Sequence, residues 1–288
     1  MRVARSLTDL DPAERAVAIG TFDGVHLGHR AVIEAAGASG LRSTVVTFDP
    51  HPRLVLGYEV QLLSTFERRI ELIGEVGPDE LLVVPFTPEL SRLAPEEFVE
   101  RVLSPLGTRA VFAGEDFRFG AGRRGDVELL RTLGLDVRPV PIVDGVSSSR
   151  IRELAAAGEV AAAAELLGRP VELEGTVVAG DQRGGTLGFP TANLAVADHL
   201  LVPAYGIYAG SALDHRAAVS IGVNPHYGGS ERRVEAFLLD FEGDLYGSRF
   251  RLELWQRLRD ERAFADEEEL VTQIARDVEA ARAAHRPG

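Results

Sequence analysis

The spacing of apolar segments changes partway along this chain of 288 residues, and that change constrains the fold more than any other feature. In the first half, short apolar runs alternate with amphipathic segments, which predicts βαβ units and a parallel sheet buried on both faces. After Arg169 and Pro170, short apolar runs follow one another with Gly, Pro and Asn between them, which is typical of an antiparallel barrel. The length also favours two domains, and we place them at residues 1–168 and 169–288.

Each half has its own predicted elements. In the first half, we expect strands at 16–20, 43–48, 80–86, 109–114 and 137–143, helices at 27–38, 65–76 and 95–106, and one or two helices over 150–168 that close the domain. In the second half, we expect strands at 171–179, 206–213, 217–223, 233–240 and 249–258. A last helix begins at Asp266, where Glu269 completes a capping-box signal.

The residue types exclude several kinds of chemistry. All 31 basic residues are Arg, so a Schiff base and a lysine-dependent phosphate loop are excluded, and the lack of Cys excludes disulfides, thiolate zinc sites and a cysteine nucleophile. A formal net charge of −13 argues against nucleic acid or an anionic membrane as the main partner. Because no stretch has the length of a membrane span or the apolar core of a signal peptide, we expect a cytoplasmic enzyme, and its oligomeric state stays open.

Residues 20–29, GTFDGVHLGH, follow a predicted strand and open a predicted helix. Gly24 and Gly28 permit close approach of the backbone to a ligand, and a helix N-terminus attracts phosphate. His26 and His29 share one face of that helix because they are three residues apart. Nucleotidyl transfer suits such a site, since an attacking phosphate oxygen needs alignment and charge-stabilising donors rather than a base. The alternatives are a histidine that caps the helix, or a metal pair completed by His51.

Three further polar segments lie in the first half. They read TFDPHP at 47–52, GEDFRFGAGRRGD at 114–126 and SSSRIR at 147–152. Taken singly, each has a structural alternative: a turn bounded by Pro, a short strand that buries Phe117 and Phe119, and a serine that caps the following helix.

The second half carries a glycine-rich loop that runs into the segment FPTAN at 189–193. In an extended segment Thr191 and Asn193 point to the same side, where two neutral oxygens suit Mg²⁺ with phosphates and water as its other ligands. Glu235 lies in an apolar strand and fits the base that phosphoryl transfer to an alcohol requires. The alternative is a strand-surface glutamate paired with Arg232 or Arg233.

Taken together, the segments of the first half resemble the HxGH nucleotidyltransferases, and in particular the bacterial bifunctional riboflavin kinase/FAD synthetase family. The second half resembles the riboflavin kinases through FPTAN, GIY at 206–208, GVNP at 222–225 and VEAF at 234–237. The resemblance implies that ATP phosphorylates riboflavin to FMN in the second domain, and that a second ATP adenylylates FMN to FAD in the first. Mg²⁺ is the implied metal. The family's fold is a Rossmann-like α/β domain followed by a small antiparallel barrel with a C-terminal helix.

The resemblance also implies roles for individual residues. Glu235 is the kinase base, His26 and His29 contact the triphosphate, Arg152 steadies the outgoing phosphates, and Thr191 with Asn193 holds the metal. The implied ATP contacts are Gly20, Phe22, Asp23, Gly24, Gly28, Ser148, Ser149, Gly184, Gly188, Thr191 and Asn193. The implied flavin contacts are Asp49, His51, Asp116, Phe117, Phe119 and Asn224.

The chain departs from the family pattern in two places. Ser149 stands where Thr is usual, and His226 and Tyr227 stand where Thr and Phe are common. Two other functions are alternatives: a nucleotidyltransferase of one activity whose barrel only binds substrate, and a flavin sensor without turnover. The presence of Thr191, Asn193 and Glu235 argues against the first. The second is disfavoured by the presence of His26, His29, Arg152 and Glu235, and no DNA-binding motif supports it.

Overall fold

The computed structural model describes residues 1–180, 189–223 and 232–288. By packing, the chain divides into two compact units. The first consists of Met1–Val60 and Phe66–Val146, and the second consists of Gln61–Thr65 and Ser147–Gly288. Within the described ranges, no helix is long and apolar enough to cross a bilayer.

The first unit contains a parallel sheet of six strands in the order β1-β4-β3-β2-β5-β6. The strands are β1 Arg2–Ala4, β2 Arg15–Ile19, β3 Arg42–Asp49, β4 Glu80–Pro85, β5 Thr108–Gly114 and β6 Asp136–Val140. The helices are α1 Leu27–Gly37, α2 Pro52–Val55, α3 Phe66–Val76, α4 Pro88–Ser91, α5 Pro95–Phe98 and α6 Val127–Thr132. The parallel α/β architecture predicted from the sequence is confirmed.

Each face of this sheet packs into its own apolar layer. Val17 and Ile19 of β2 belong to one hydrophobic cluster, while Ala16 and Ala18 belong to the cluster on the other face. This division explains why β2 reads as a continuous apolar run, since strands buried on both faces cannot alternate with polar residues.

The structure of this unit differs from the expected elements in several places, and the short helices α2, α4 and α6 were not expected. Strand β1 was not expected, because three residues carry no readable periodicity and only pairing with β4 makes them a strand. The single helix expected over 95–106 is shorter, and α5 continues as a π-helical segment, Val99–Leu103.

A buried ion pair closes the amino end of the sheet. Arg15 Nε donates to Glu80 Oε2 over 2.8 Å, and Thr44 Oγ1 donates to the same oxygen over 3.0 Å. Burial raises the pKa of the Glu80 carboxyl, but the hydrogen bonds from Arg15 and Thr44 outweigh it, so the pKa lies below its ordinary value of 4.5. The stabilising contribution of Glu80 is therefore fully present above pH 4.5 and is lost as the pH falls through the lower pKa of the folded state.

We expect Glu80→Gln to lower the free energy of unfolding of this unit by about 3 kcal/mol, because Arg15 keeps its charge in a buried position. Hydrogen exchange of the β2 to β4 amides in increasing urea measures the change. The control is Glu14→Gln, which breaks the exposed pair with Arg109 and is expected to cost less than about 1 kcal/mol. Equal losses in the two variants would contradict the expected importance of burial.

The second unit is built on a closed antiparallel barrel in the order β10-β11-β8-β7-β12-β9. Its strands are β7 Val171–Val178, β8 Ala192–Val196, β9 Gly206–Ala212, β10 His215–Val223, β11 Arg232–Leu238 and β12 Arg249–Arg259. The predicted barrel is confirmed, and β8 is a strand that the sequence analysis did not include.

Three helices of this unit are described: α7 Ser148–Ala156, α8 Val160–Leu167 and α9 Glu267–Ala283. Ile151 of α7 and Leu167 of α8 lie in the same hydrophobic cluster as the barrel residues Val219 and Leu252. The packing thus groups α7 and α8 with the barrel, while the boundary between Gly168 and Arg169 stays a prediction for the functional domains. At α9, Asp266 caps the helix through the amide of Glu269, as expected.

Candidate active sites

The switch point of the parallel sheet lies beside β2. The connection that leaves β2 leads to β3 on one side, whereas β5 and β6 lie on the other side. Ligands of open α/β sheets bind at the carboxyl edge beside such a point. The loop after β2 and the loop after β5 both begin at this edge, and they carry two of the motifs found in the sequence.

The loop between β2 and α1, residues 20–26, is tightly turned. Phe22, Gly24 and Val25 all have positive φ angles, of 51°, 77° and 38°. Phe22 and Val25 are nevertheless fully buried in the hydrophobic layer beneath the loop, and Asp23 is buried with them. Burial of the two apolar side chains stabilises a backbone conformation that non-glycine residues seldom adopt.

The two histidines of this loop and helix lie against each other. Their ring centroids are 3.6 Å apart and their ring planes are nearly parallel. Phe22 contacts His29 edge-on, with the two ring centroids 5.3 Å apart. His26 caps α1, because its Nδ1 accepts a hydrogen bond from the His29 amide over 3.3 Å. A nitrogen that accepts carries no proton, so the neutral His26 ring holds its proton on Nε2. The capping alternative is thus correct for His26.

Gly28 makes room for this arrangement. A Cβ atom at Gly28 would lie 3.3 Å from both Cε1 and Nδ1 of His26, and a Cβ atom at Gly20 would lie 3.2 Å from the Phe22 ring. The two glycines therefore accommodate the rings of their own loop. The expectation that Gly28 admits a ligand stays a prediction.

The segment after β3 places Asp49 and His51 beside the carboxyl edge. Asp49 ends β3 and is half-buried. His51 is buried and caps α2, because its Nδ1 accepts from the Arg53 amide over 3.2 Å. Among the described residues, no group of three His, Asp or Glu side chains gathers to hold a metal ion, so a histidine metal site completed by His51 gains no support.

The loop after β5 is partly a core element. Phe119 is buried and exchanges two backbone hydrogen bonds with Gly125, so the alternative of a short strand with a buried face applies to it. Phe117 is half-buried and stacks on Phe119 with centroids 5.6 Å apart, while Asp116 is exposed. Phe117 and Asp116 are therefore the more accessible side chains of the three for a flavin contact.

The serine and arginine motif forms the start of α7. Ser147 caps the helix through the Arg150 amide, and Ser148 and Ser149 follow as its first residues. Arg152 Nε donates to the carbonyl of Gln61 over 2.8 Å. The motif thus belongs to the second packing unit, whereas the histidines belong to the first.

One buried arginine at the carboxyl edge was missed in the sequence analysis. Arg69 of α3 donates from Nη1 to the Thr21 carbonyl over 2.9 Å and from Nη2 to the Phe48 carbonyl over 3.1 Å. Burial lowers the pKa of its guanidinium, while the carboxylates of Asp23, Asp49 and Glu67 act in the opposite direction. The sequence signal that could have revealed Arg69 is its position as a charged residue between the apolar positions Phe66 and Ile73 of an amphipathic helix.

In the second unit, three polar residues share the outer face of the barrel. Asn193 of β8 is the direct partner of Glu235 in β11, and Thr191 Oγ1 donates to Glu235 Oε2 over 3.3 Å. The flanking residues Val234 and Ala236 point into the core, so Glu235 points outward, with a third of its side chain exposed. Arg233 Nη1 lies 3.9 Å from Glu235 Oε1, which also bears out part of the ion-pair alternative.

Two features adjoin these residues. Phe189 contacts Phe237 edge-on with centroids 5.4 Å apart, which places an aromatic pair beside the same face. A pocket of about 320 Å³ has Thr191 in its wall. Its apolar walls include Val177, Leu238, Phe241 and Leu245.

Three predicted contacts cannot be placed in this geometry. Gly184, Gly188 and Asn224 lie outside the described residues, as does the departure at His226.

Two family models match the chain. The FAD synthetase model covers residues 9–151, and the riboflavin kinase model covers residues 167–285. Each match falls on the half of the chain in which the corresponding motifs were found.

Full-length relatives agree with the two matches. A bifunctional riboflavin kinase/FMN adenylyltransferase of Listeria monocytogenes is 37% identical over 93% of this chain and 92% of its own. One of the same description from Pseudomonas fluorescens is 37% identical over 100% and 99% of the two chains. A crystal structure from Streptococcus pneumoniae, described as a macrolide-efflux protein, aligns over 98% of both chains with a TM-score of 0.87 and 30% identity. The chain therefore belongs to the bifunctional riboflavin kinase/FMN adenylyltransferase family.

Proposed function

We propose that the two reactions of the family use separate ATP sites, with the polar face of the barrel acting in the kinase and the histidine loop in the adenylyltransferase. The chain has riboflavin kinase and FMN adenylyltransferase activities and produces FMN and FAD. The observation that carries the proposal is the grouping of Thr191, Asn193 and Glu235 on one face, since these three residues supply what phosphoryl transfer to an alcohol needs.

In the kinase reaction, Glu235 accepts the proton of the terminal ribityl hydroxyl of riboflavin. The hydroxyl oxygen then bonds to the γ-phosphorus of ATP, and the bond from that phosphorus to the β-phosphate oxygen breaks, which releases ADP. The hydrogen bond from Thr191 fixes one carboxylate oxygen of Glu235. Proton transfer to a positioned base of this kind contributes about 10²- to 10⁴-fold to a rate.

The donor set beside Glu235 fits Mg²⁺. Thr191 and Asn193 offer a hydroxyl and an amide oxygen, which are hard neutral ligands, and the phosphates and water complete such a shell. Gly180 is part of this fit, because a Cβ atom there would lie 2.1 Å from Asn193 Nδ2. When bound, the ion neutralises phosphate charge. Thr191 and Asn193 are the residues that would hold it.

The pocket beside Thr191 suits the adenine of the kinase's ATP. Val177, Leu238 and Phe241 form apolar walls for an aromatic ring, and Thr191 in the wall places the phosphates close to Glu235. Phe189 and Phe237 are the aromatic surfaces nearest the riboflavin hydroxyl in this arrangement.

In the adenylyltransferase reaction, a phosphate oxygen of FMN bonds to the α-phosphorus of ATP and pyrophosphate leaves. His26 Nε2 and His29 donate to the triphosphate at the N-terminus of α1, where backbone amides add to their effect. Gly20, Phe22, Asp23 and Gly24 shape that loop. Ser148, Ser149 and Arg152 are assigned to the leaving phosphates by their match to the family motif.

The flavin of FMN is assigned to the segments after β3 and β5, with Asp49, His51, Asp116, Phe117 and Phe119 as its contacts. Phe119 acts mainly by supporting the ring of Phe117, because it is itself buried. We place both reactions in the cytoplasm, where ATP is abundant, with small molecules as the only required partners.

The experiment that tests the assignment separates the two reactions. Purified protein is incubated with riboflavin, ATP and Mg²⁺, and the flavins are resolved by chromatography over time. We expect FMN to appear first and FAD to follow, and added FMN to yield FAD without riboflavin. If FMN alone accumulates, the histidine loop is not an adenylyltransferase site, and if neither flavin appears, a non-catalytic sensor is the better description.

A further inference from the structure

We infer that Arg69 is a positioning residue of the adenylyltransferase, which holds the histidine loop to the end of strand β3. The inference rests on the proposed location of that site at the carboxyl edge of the sheet. Arg69 lies on α3, behind the edge, and only 3% of the residue is exposed. It acts through the loops it holds rather than by touching substrate.

The backbones of β2 and β3 lose their mutual hydrogen bonds where the two strands separate. The ladder between these parallel strands ends at Ile19 and Val46, with one further bond from the Gly20 amide to the Val46 carbonyl. Beyond that point the carbonyls of Thr21 and Phe48 have no ladder partner, and buried carbonyls require donors.

Arg69 supplies those donors. One guanidinium nitrogen reaches the Thr21 carbonyl and the other reaches the Phe48 carbonyl, so a single rigid group spans the two strand ends. Thr47 Oγ1 also donates to the Thr21 carbonyl, over 3.2 Å. The planar fork of arginine is suited to holding two acceptors at a fixed separation, and a lysine ammonium is not.

The two carbonyls bonded to Arg69 directly precede residues of the proposed sites. Thr21 directly precedes Phe22, the residue with positive φ whose ring contacts His29. Phe48 directly precedes Asp49, whose Oδ1 lies 3.7 Å from Arg69 Nη2. A shift at either carbonyl therefore moves a residue of the proposed nucleotide or flavin site.

The guanidinium of Arg69 lies in a buried position against an aromatic ring. It lies over the Phe66 ring, with Cζ 5.1 Å from the centroid, and its buried Nε has no hydrogen-bond partner among the described residues. Burying a charged group in this way costs free energy, and the cost is offset by the two carbonyls and the nearby carboxylates. A buried arginine of this kind is expected where the positions of the two strand ends must be fixed, and not only where the fold must be stabilised.

The test compares Arg69→Met and Arg69→Lys with Arg68→Met. Arg68 is the adjacent buried arginine, but it donates to Glu71 and Glu75 of its own helix. We expect Arg69→Met to raise the KM for ATP about tenfold and to lower kcat about tenfold in FAD formation from added FMN, because small misplacements at a reacting centre can cost about 100-fold in total. Arg69→Lys should recover only part of this loss, and riboflavin phosphorylation should be unchanged in all three variants.

Hydrogen exchange supplies the readout that a purely structural role would not give. We expect the β2 and β3 amides of Arg69→Met to stay protected while the amides of residues 21–26 exchange faster. An equal loss of FAD formation in Arg68→Met, or a parallel loss of kinase activity, would overturn the inference. If FAD formation is normal in Arg69→Met but impaired in His29→Ala, only the role of Arg69 is overturned. If FAD formation is normal in both variants, the proposed location of the adenylyltransferase site is overturned as well.

Discussion

Glu235→Gln is expected to lower kcat for riboflavin phosphorylation by about 10³-fold, because the amide keeps the shape of the side chain and cannot accept the hydroxyl proton. Thr191 donates to one carboxylate oxygen over 3.3 Å, and the amide oxygen of glutamine can accept the same bond. The local structure should therefore survive the change. Initial rates of FMN formation from riboflavin and ATP measure the effect.

The control for this variant is Arg233→Gln, which removes the 3.9 Å contact with Glu235 without changing the base. We expect a change of less than about threefold from it, since a partly exposed ion pair contributes little. Conversion of added FMN to FAD should be normal in both variants. A Glu235→Gln enzyme with a kinase rate within tenfold of the unaltered protein, or an Arg233→Gln enzyme equally impaired, would show that Glu235 is only part of a surface ion pair.

His29→Ala is expected to lower kcat for FAD formation from added FMN by about 10²- to 10³-fold, the range found when one charge-stabilising donor is removed from a reacting centre. His29 stacks on His26 with centroids 3.6 Å apart, and the variant also removes this support of the His26 ring. Pyrophosphate release with FMN and ATP as substrates measures the effect. Riboflavin phosphorylation by the same preparation should be unchanged.

The matched control on the same helix is Arg30→Ala. Arg30 is the next residue of α1, and its ion contact is with Glu34 at 3.9 Å, so we expect normal FAD formation. His29→Gln, which restores an amide donor, should recover part of the activity. FAD formation within threefold of normal in His29→Ala would assign the histidine a structural role in the loop.

Both architectures could be predicted from the sequence because their signals are local. The apolar run of β2 follows from burial on both faces of the sheet, and the regularly spaced short strands after Pro170 follow from a barrel. The motifs of the candidate sites could be found for the same reason. A turn such as residues 20–26 needs particular residues at particular positions, and His26 caps α1 from within that motif.

Elements that depend on distant partners were not predictable in this way. Strand β1 has three residues and β8 has five, and each becomes a strand only through its pairing, with β4 in one case and with β7 and β11 in the other. The helices α7 and α8 were expected to close the first domain, yet they share a hydrophobic cluster with the barrel. An amphipathic pattern specifies that a face is buried and does not specify against what.

The sequence by itself determined the central strands, the longer helices and the residue types available for the chemistry, because periodicity, capping and composition act over a few residues. Only the tertiary structure decided that Glu235 lies opposite Asn193 and within reach of Thr191, that Phe119 is a core residue, and that Arg69 joins the ends of β2 and β3. The placement of Glu235 depends on strand register, that of Arg69 on carbonyls left without ladder partners, and that of Phe119 on packing against Phe98. All three arise from contacts between residues far apart along the chain.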